Sequence, residues 1–141
     1  MNRRTLIEAA LRVAIAATLA VSASIHAQLY VTGYRFIHVI GVMFIFQASV
    51  SFALAALVLL GGPALLRLVA AGAAAGALAG FAGSRTIGVF GFTEHGWEPS
   101  PQSSISVLAE IATLMLVAPT LFGMGKAVWA RARARARTRR T

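Results

Sequence analysis

Three side chains in the apolar part of this sequence could hold a divalent metal ion: His26, His38 and Glu110. Two imidazoles and one carboxylate, with coordination positions left open, form a common ligand set for such ions. His26 precedes Thr32 by six residues and His38 follows it by six. In a hairpin of two helices that turns at Thr32 and Gly33, both imidazoles would lie at about the same depth. The sequence therefore predicts a metal site shared by these three residues.

A second group of metal-type side chains, Glu94, His95 and Glu98, lies in the polar stretch before the last apolar segment. The alternative role for the histidines is hydrogen bonding at the membrane interface, beside an aromatic belt. Gln47 is nine residues from His38, on the opposite side of a helix. We therefore expect Gln47 to bond another helix or a second subunit and to stay outside the metal site.

Two further roles are open to Glu110. It could form an ion pair with Arg85, or it could end a polar path for protons or ions. Polar residues recur every three or four positions on the first and last apolar segments, so each row lies on one helix face. The rows are Thr18, Ser22, His26 and Tyr30, and Ser103, Ser106, Glu110 and Thr113, the second of which Thr120 continues two turns further on. Lipid disfavours polar rows, so both are expected to face the protein interior.

Four apolar segments must position these side chains. Of the 141 residues, 58% are hydrophobic and 12% are charged, whereas a soluble domain has about a quarter charged residues. A helix that crosses the hydrocarbon layer needs about 20 apolar residues. The segments run from about 6 to 31, 36 to 60, 63 to 83 and 101 to 128. The predicted fold is all-α: an antiparallel transmembrane four-helix bundle formed by residues 1–130.

The distribution of basic residues predicts the orientation of this bundle. All but two of the 13 Lys and Arg residues fall at one end of the predicted helices; the exceptions are Arg35 and Arg85. Since Lys and Arg accumulate on the cytoplasmic side, both termini are expected on the cytoplasmic side of a bacterial plasma membrane. The alternative for the first segment is a cleaved signal peptide that ends at Val21-Ser22-Ala23.

The third segment carries small residues at every fourth position: Gly72, Gly76, Gly80 and Ser84. Small residues on one helix face allow two helix backbones to approach closely, which is a frequent basis of packing in lipid. We expect this face to pack against another helix of the chain, or against a second copy in a homo-oligomer or a larger membrane complex.

The chain ends in an Arg-Ala segment, residues 131–141, that forms a predicted basic cytoplasmic tail. In a helix its arginines would point in all directions, so it is not an amphipathic helix. We expect it to contact anionic lipid. Nucleic-acid binding is not predicted, because no aromatic residue that could stack on a base is interleaved after Trp129.

Two stretches of this sequence carry a resemblance. They comprise His26, Leu29-Tyr30, Tyr34-Arg35, His38, Gly41, Phe44 and Gln47, and the run Gly88–Glu94 followed by Glu110. Together they resemble a group of small, uncharacterised four-helix integral membrane proteins of high-GC, actinobacterial-type bacteria. The resemblance implies four membrane spans and implies no activity.

The sequence also limits the functions to be considered. It contains no cysteine, which excludes disulfides and thiolate metal sites. It contains no phosphate-binding loop, nucleophile elbow or zinc-protease motif. We expect a non-enzymatic accessory protein or oligomeric bundle with an outward-facing polar site that holds a divalent metal. The alternatives are ion or proton transport that uses Glu110, and a redox subunit that binds haem or quinone.

Overall fold

Four long helices account for most of the chain. The computed structural model describes residues 2–138. Its helices are α1 (Arg3–Thr32), α2 (Ile40–Leu59), α3 (Leu65–Ser84) and α4 (Gln102–Thr138), with one turn of 3-10 helix at Tyr34–Phe36. Each of the four is long and apolar enough to cross a membrane. Residues 2–138 contain no β-strand, so the predicted all-α class is confirmed.

The connection between α1 and α2 is longer than the sequence predicts, because α2 begins at Ile40 and not near residue 36. Val39, the residue before α2, has a φ of 65°, which a β-branched residue rarely adopts. The 3-10 turn lies directly against Gly41, where an added Cβ would stand 2.8 Å from the Tyr34 carbonyl oxygen. Glycine at this position therefore allows the connection to pack onto the first turn of α2.

The outer limits of the first and last helices also extend beyond the predicted spans. α1 begins at Arg3, where the Asn2 side chain accepts a hydrogen bond from the Arg4 amide over 3.3 Å. α4 continues through 131–138 of the Arg-Ala segment, since Ala and Arg are both strong helix formers. Residues 139–141 of the predicted tail lie outside the described residues.

The helices bury small and polar residues and expose large apolar ones. α1 packs against α2 and α4, and α3 packs against α4 and α2. The core includes Ile15 and Val117, both fully buried, and several alanines. Ser22, Ser106, Glu110 and Thr113 are also buried, whereas many large apolar side chains are exposed, among them Phe36, Phe46 and Phe122. These four members of the α1 and α4 polar rows therefore face the protein interior, as predicted. Burial of polar groups beside exposed apolar ones is the pattern expected of helices that cross a membrane.

Candidate functional site

A cavity of about 300 Å³ lies between the helices, at the ends that adjoin the loop 85–101. All four helices and the 3-10 turn contribute to its lining, which is mainly aliphatic and aromatic. Gly76 and Gly80 leave space on the α3 side, because an added Cβ at either position would meet nothing within 4 Å. The polar groups that line the cavity include Glu110, His26, Gln47 and the ion pair described below.

Glu110 is the most deeply buried acidic residue at this cavity, with only 2% of its surface exposed. The hydroxyl groups of Ser22 on α1 and Ser106 on α4 both donate to its Oε1, over 3.1 and 2.8 Å. Among residues 2–138, Oε2 has no hydrogen-bond partner. Two serines on facing helices therefore bond to the same carboxylate oxygen, and the other oxygen accepts no hydrogen bond from the described residues.

His26 lies one turn beyond Ser22 on the same face of α1 and is half-buried. Its Nδ1 lies 2.9 Å from the Ser22 carbonyl oxygen. A carbonyl oxygen can only accept, so Nδ1 carries the hydrogen, and in the neutral ring Nε2 is an acceptor. Within the described chain, Nε2 has no hydrogen-bond partner. The ring packs against Phe44 of α2, with 5.2 Å between the ring centroids.

An ion pair joins the loop 85–101 to the helices at the cavity. Nη1 of Arg85 lies 3.0 Å from Oε2 of Glu94, and the Tyr34 hydroxyl donates to the other oxygen of Glu94. Arg85 Nε also donates to the Gly96 carbonyl oxygen over 3.0 Å. The guanidinium lies 3.7 Å from the centroid of the Phe81 ring. Arg85 thereby links α3, the loop and the connection after α1.

The surroundings of Tyr34 alter the acidity of its phenol. Burial raises the pKa of its phenol, and the Glu94 carboxylate that accepts its hydrogen bond raises that pKa further. The phenol packs face to face on Phe44, with 4.5 Å between centroids. Tyr34 is therefore a stable hydrogen-bond donor at physiological pH.

The buried polar row continues from Glu110 toward the other end of the helices and is then interrupted. Thr113 donates to Thr18 over 2.8 Å. One turn further, Val117 on α4 and Ile15 on α1 are both completely buried and belong to the apolar core. These two side chains form an apolar layer, and the polar row ends at it.

A second polar cluster lies beyond this layer. Arg67 of α3 is buried, forms an ion pair with Glu8 of α1 and donates to Thr120 of α4 over 3.0 Å. Arg12 also contacts Glu8, with 3.2 Å between Nε and Oε1. Sequence reasoning missed the role of Glu8 in this cluster, although the i,i+4 spacing of Glu8 and Arg12 is a signal for it.

The structure does not bring the three expected metal ligands together. Residues 2–138 contain no group of three His, Asp or Glu side chains that could hold a metal ion. His38 is exposed and does not line the cavity. The physical reason is the 3-10 turn: because α2 begins at Ile40, His38 lies in the connection and has no mirror relation to His26.

The other expected site residues have different partners. Arg85 pairs with Glu94 and not with Glu110, because the loop places the Glu94 carboxylate beside the guanidinium, with 3.0 Å between Nη1 and Oε2. His95 and Glu98, the remaining loop candidates, are exposed. Gln47 bonds another helix as expected, donating to the Ala73 carbonyl oxygen over 3.2 Å, but it also lines the cavity.

The small-residue face of α3 has no close helix partner within the described chain. An added Cβ at Gly72, Gly76 or Gly80 would contact nothing within 4 Å. Ser84, at the end of this face, is buried and accepts from Arg85 Nη1 over 2.6 Å. Two of these glycines thus provide the space of the cavity, which a pattern of small residues does not reveal.

Comparisons of the chain with family models, with curated proteins and with solved structures find no match. The function of this chain is therefore inferred from the geometry of the cavity.

Proposed function

We propose that this chain is a multi-pass protein of the bacterial plasma membrane that binds a small ligand in the cavity between its helices, without converting it. Its four spans would form an antiparallel bundle with both termini in the cytoplasm, since all but two of the 13 basic residues then lie inside. The cavity would then open toward the outer half of the membrane.

The observation that carries this proposal is the cavity itself. Ligand sites have volumes of about 300–1,000 Å³, mainly apolar linings and a few polar groups that orient the ligand. The cavity beside Glu110 combines these properties, with a volume of about 300 Å³. A carboxylate with one unpartnered oxygen is costly inside a membrane unless a ligand, an ion or water meets it.

The arrangement of Ser22, His26 and Glu110 favours binding over catalysis. These are the residue types of a serine-hydrolase triad, in which the imidazole accepts the serine proton and the carboxylate orients the imidazole. Here the Ser22 hydroxyl donates to the carboxylate. The His26 Nδ1–H bonds to the Ser22 carbonyl oxygen, which leaves no lone pair on that nitrogen for the serine proton.

The two alternative functions receive less support from the geometry. A proton or ion path would have to pass the buried layer of Ile15 and Val117, which separates Glu110 from Arg67. A haem held by two histidines would need His38 in the interior, and that residue is exposed. A ligand that enters and leaves from one side of the membrane requires neither arrangement.

A small apolar carbodiimide tests the proposal directly. Diisopropylcarbodiimide adds as a whole molecule to a protonated carboxyl group and leaves a stable N-acylurea, which peptide mass mapping locates. In phosphatidylcholine nanodiscs we expect an adduct at Glu110. Gly80→Leu, which places a side chain in the cavity where an added Cβ meets nothing within 4 Å, should reduce this adduct severalfold.

The Glu110→Gln variant identifies any adduct elsewhere, because it removes the Glu110 carboxyl and leaves the others in place, including that of Glu94 at the cavity. Equal modification of Glu110 in the wild type and in Gly80→Leu would contradict the proposal. An unmodified Glu110 in a preparation whose exposed Glu98 reacts would contradict it as well.

A further inference from the structure

The hydrogen-bond donors that line the cavity are already engaged within the protein. Arg85 directs its N–H groups to backbone carbonyls, to two serine hydroxyls and to Glu94. The Tyr34 hydroxyl donates to Glu94, and the Ser106 hydroxyl donates to Glu110. The Gln47 amide nitrogen contacts Ser51 Oγ and the Ala73 carbonyl oxygen.

Several acceptors that line the same cavity have no partner among residues 2–138. They are Oε2 of Glu110, Nε2 of His26 and Oε1 of Gln47. No fully buried side-chain nitrogen or oxygen of the described chain lacks a partner, so these three atoms border open space and not packed protein. The cavity therefore has hydrogen-bond acceptors available to a ligand, whereas its hydrogen-bond donors are engaged within the protein.

The charges at the cavity have the same asymmetry. Arg85 is neutralised by Glu94, with 3.0 Å between Nη1 and Oε2. Glu110 contacts only hydroxyl groups, so its carboxylate has no cationic partner within the described chain. Aromatic rings of Phe44, Phe81 and Phe92 also line the cavity, and Phe81 already carries the Arg85 guanidinium on one face. Ring faces attract cations.

We propose that the cavity binds the ammonium group of a lipophilic primary amine, with the ammonium donating to Glu110 and the apolar body lying among the phenylalanine rings. This inference rests on the proposed function and names its ligand class. A primary ammonium group has three donors and no acceptor, so it suits a cavity whose unpaired polar atoms are acceptors. A quinone offers acceptors only and would leave those of the cavity unmatched.

Two molecules of nearly equal shape test this ligand class. 4-Phenylbutylamine carries an ammonium group at neutral pH, and 4-phenylbutanol carries a hydroxyl on the same apolar body. Binding to the protein in phosphatidylcholine nanodiscs is measured by calorimetry, with empty nanodiscs subtracted. Both molecules can donate a hydrogen bond to Glu110, but only the ammonium group adds a positive charge opposite the carboxylate. Because a hydrogen bond between two charged groups is about twice as strong as one between neutral groups, we expect the amine to bind about tenfold or more tightly than the alcohol.

Glu110→Gln should remove this preference, so that the amine binds no more tightly than the alcohol, and the amine should lose more affinity than the alcohol. The matched control is Glu98→Gln, the same change at an exposed carboxylate that does not line the cavity. This control should retain the full preference. An equal loss of affinity for both molecules in Glu110→Gln, with the preference for the amine retained, would indicate a structural role for Glu110 and would overturn the inference.

The possible results distinguish failure of the ammonium proposal from failure of the proposed ligand-binding function. If amine and alcohol bind equally to the wild type, the cavity remains and the ammonium proposal is wrong. If a short-chain quinone binds more tightly than the amine, the ammonium proposal is also wrong. If neither molecule binds and carbodiimide does not modify Glu110, the proposed function fails with it.

The ammonium group could belong to a free amine or to a lipid headgroup. Phosphatidylethanolamine has a primary ammonium, whereas the quaternary nitrogen of phosphatidylcholine has no N–H to donate. If the lipid is the source, nanodiscs that contain phosphatidylethanolamine should weaken the apparent affinity for 4-phenylbutylamine, and Glu110→Gln should abolish this competition. If a free amine is the source, the two nanodisc types should give the same affinity.

Discussion

Three carboxylates of this chain are accommodated in three different ways. Glu8 is met by two arginines, Glu94 by Arg85 and the Tyr34 phenol, and Glu110 only by serine hydroxyls. The first two therefore have cationic partners within the protein. Glu110 is the one of the three whose charge is left to an external group, which is why the proposed binding site centres on it.

Tyr34 permits a spectroscopic prediction at the scale of a single residue. Burial and the Glu94 carboxylate raise the pKa of its phenol above the ordinary value of about 10. The neutral phenol therefore stabilises the folded chain fully below about pH 10, and this stabilisation is lost as the pH rises through the higher pKa of the folded state. In Tyr30→Phe, which leaves one tyrosine, phenolate absorbance should develop only well above pH 10.

Glu94→Gln in the Tyr30→Phe background is the matched test of the cause. It removes the negative charge beside the phenol, so the absorbance should develop at lower pH than in Tyr30→Phe alone. An unchanged titration would contradict the assigned hydrogen bond between Tyr34 and Glu94.

At the scale of elements, the glycines of α3 and α2 have opposite surroundings. An added Cβ at Gly72 would meet nothing within 4 Å, whereas at Gly41 it would lie 2.8 Å from the Tyr34 carbonyl oxygen. We therefore expect Gly72→Ala to leave the Tm unchanged or to raise it slightly, because alanine favours a helix over glycine by about 0.5–1 kcal/mol. Gly41→Ala should lower the Tm, since the 3-10 turn must move.

Thermal unfolding in nanodiscs, followed by circular dichroism, measures both effects. A lower Tm for Gly72→Ala would indicate that the small-residue face of α3 packs closely against another molecule. An unchanged Tm for Gly41→Ala would contradict the close approach of the connection to α2.

At the scale of the whole molecule, two polar clusters lie toward opposite ends of the helices, with Ile15 and Val117 between them. The Arg67 cluster ties α1, α3 and α4 together, and the Arg85 cluster ties the loop 85–101 to the cavity. In the proposed orientation, the first cluster lies at the cytoplasmic end and the second at the outer end. The cavity is then reached from outside.

This orientation can be tested because the chain has no native cysteine. His95→Cys places a thiol in the exposed loop, and Thr5→Cys and Ala130→Cys place thiols at exposed positions near the two termini. A membrane-impermeant maleimide should label His95→Cys in intact cells, and the other two only after lysis. Labelling of Thr5→Cys or Ala130→Cys before lysis would exclude an orientation with both termini inside.

The amino-acid sequence by itself determined the helical class and the inward direction of the polar rows. Both follow from local rules: an apolar stretch of sufficient length forms a helix in lipid, and polar residues spaced by three or four share a helix face. Ser22, Ser106 and Glu110 obey these rules, and they meet because the α1 and α4 faces that carry them pack together.

Only the tertiary structure decided which side chains converge at the cavity. The 3-10 turn at Tyr34–Phe36 moves His38 out of the helix that was expected to carry it. Arg85 is neutralised by Glu94, a residue of the neighbouring loop, and this leaves Glu110 without a cation. Such pairings depend on the path of a connection and on distances between segments remote in sequence, neither of which the spacing of residues along a helix encodes.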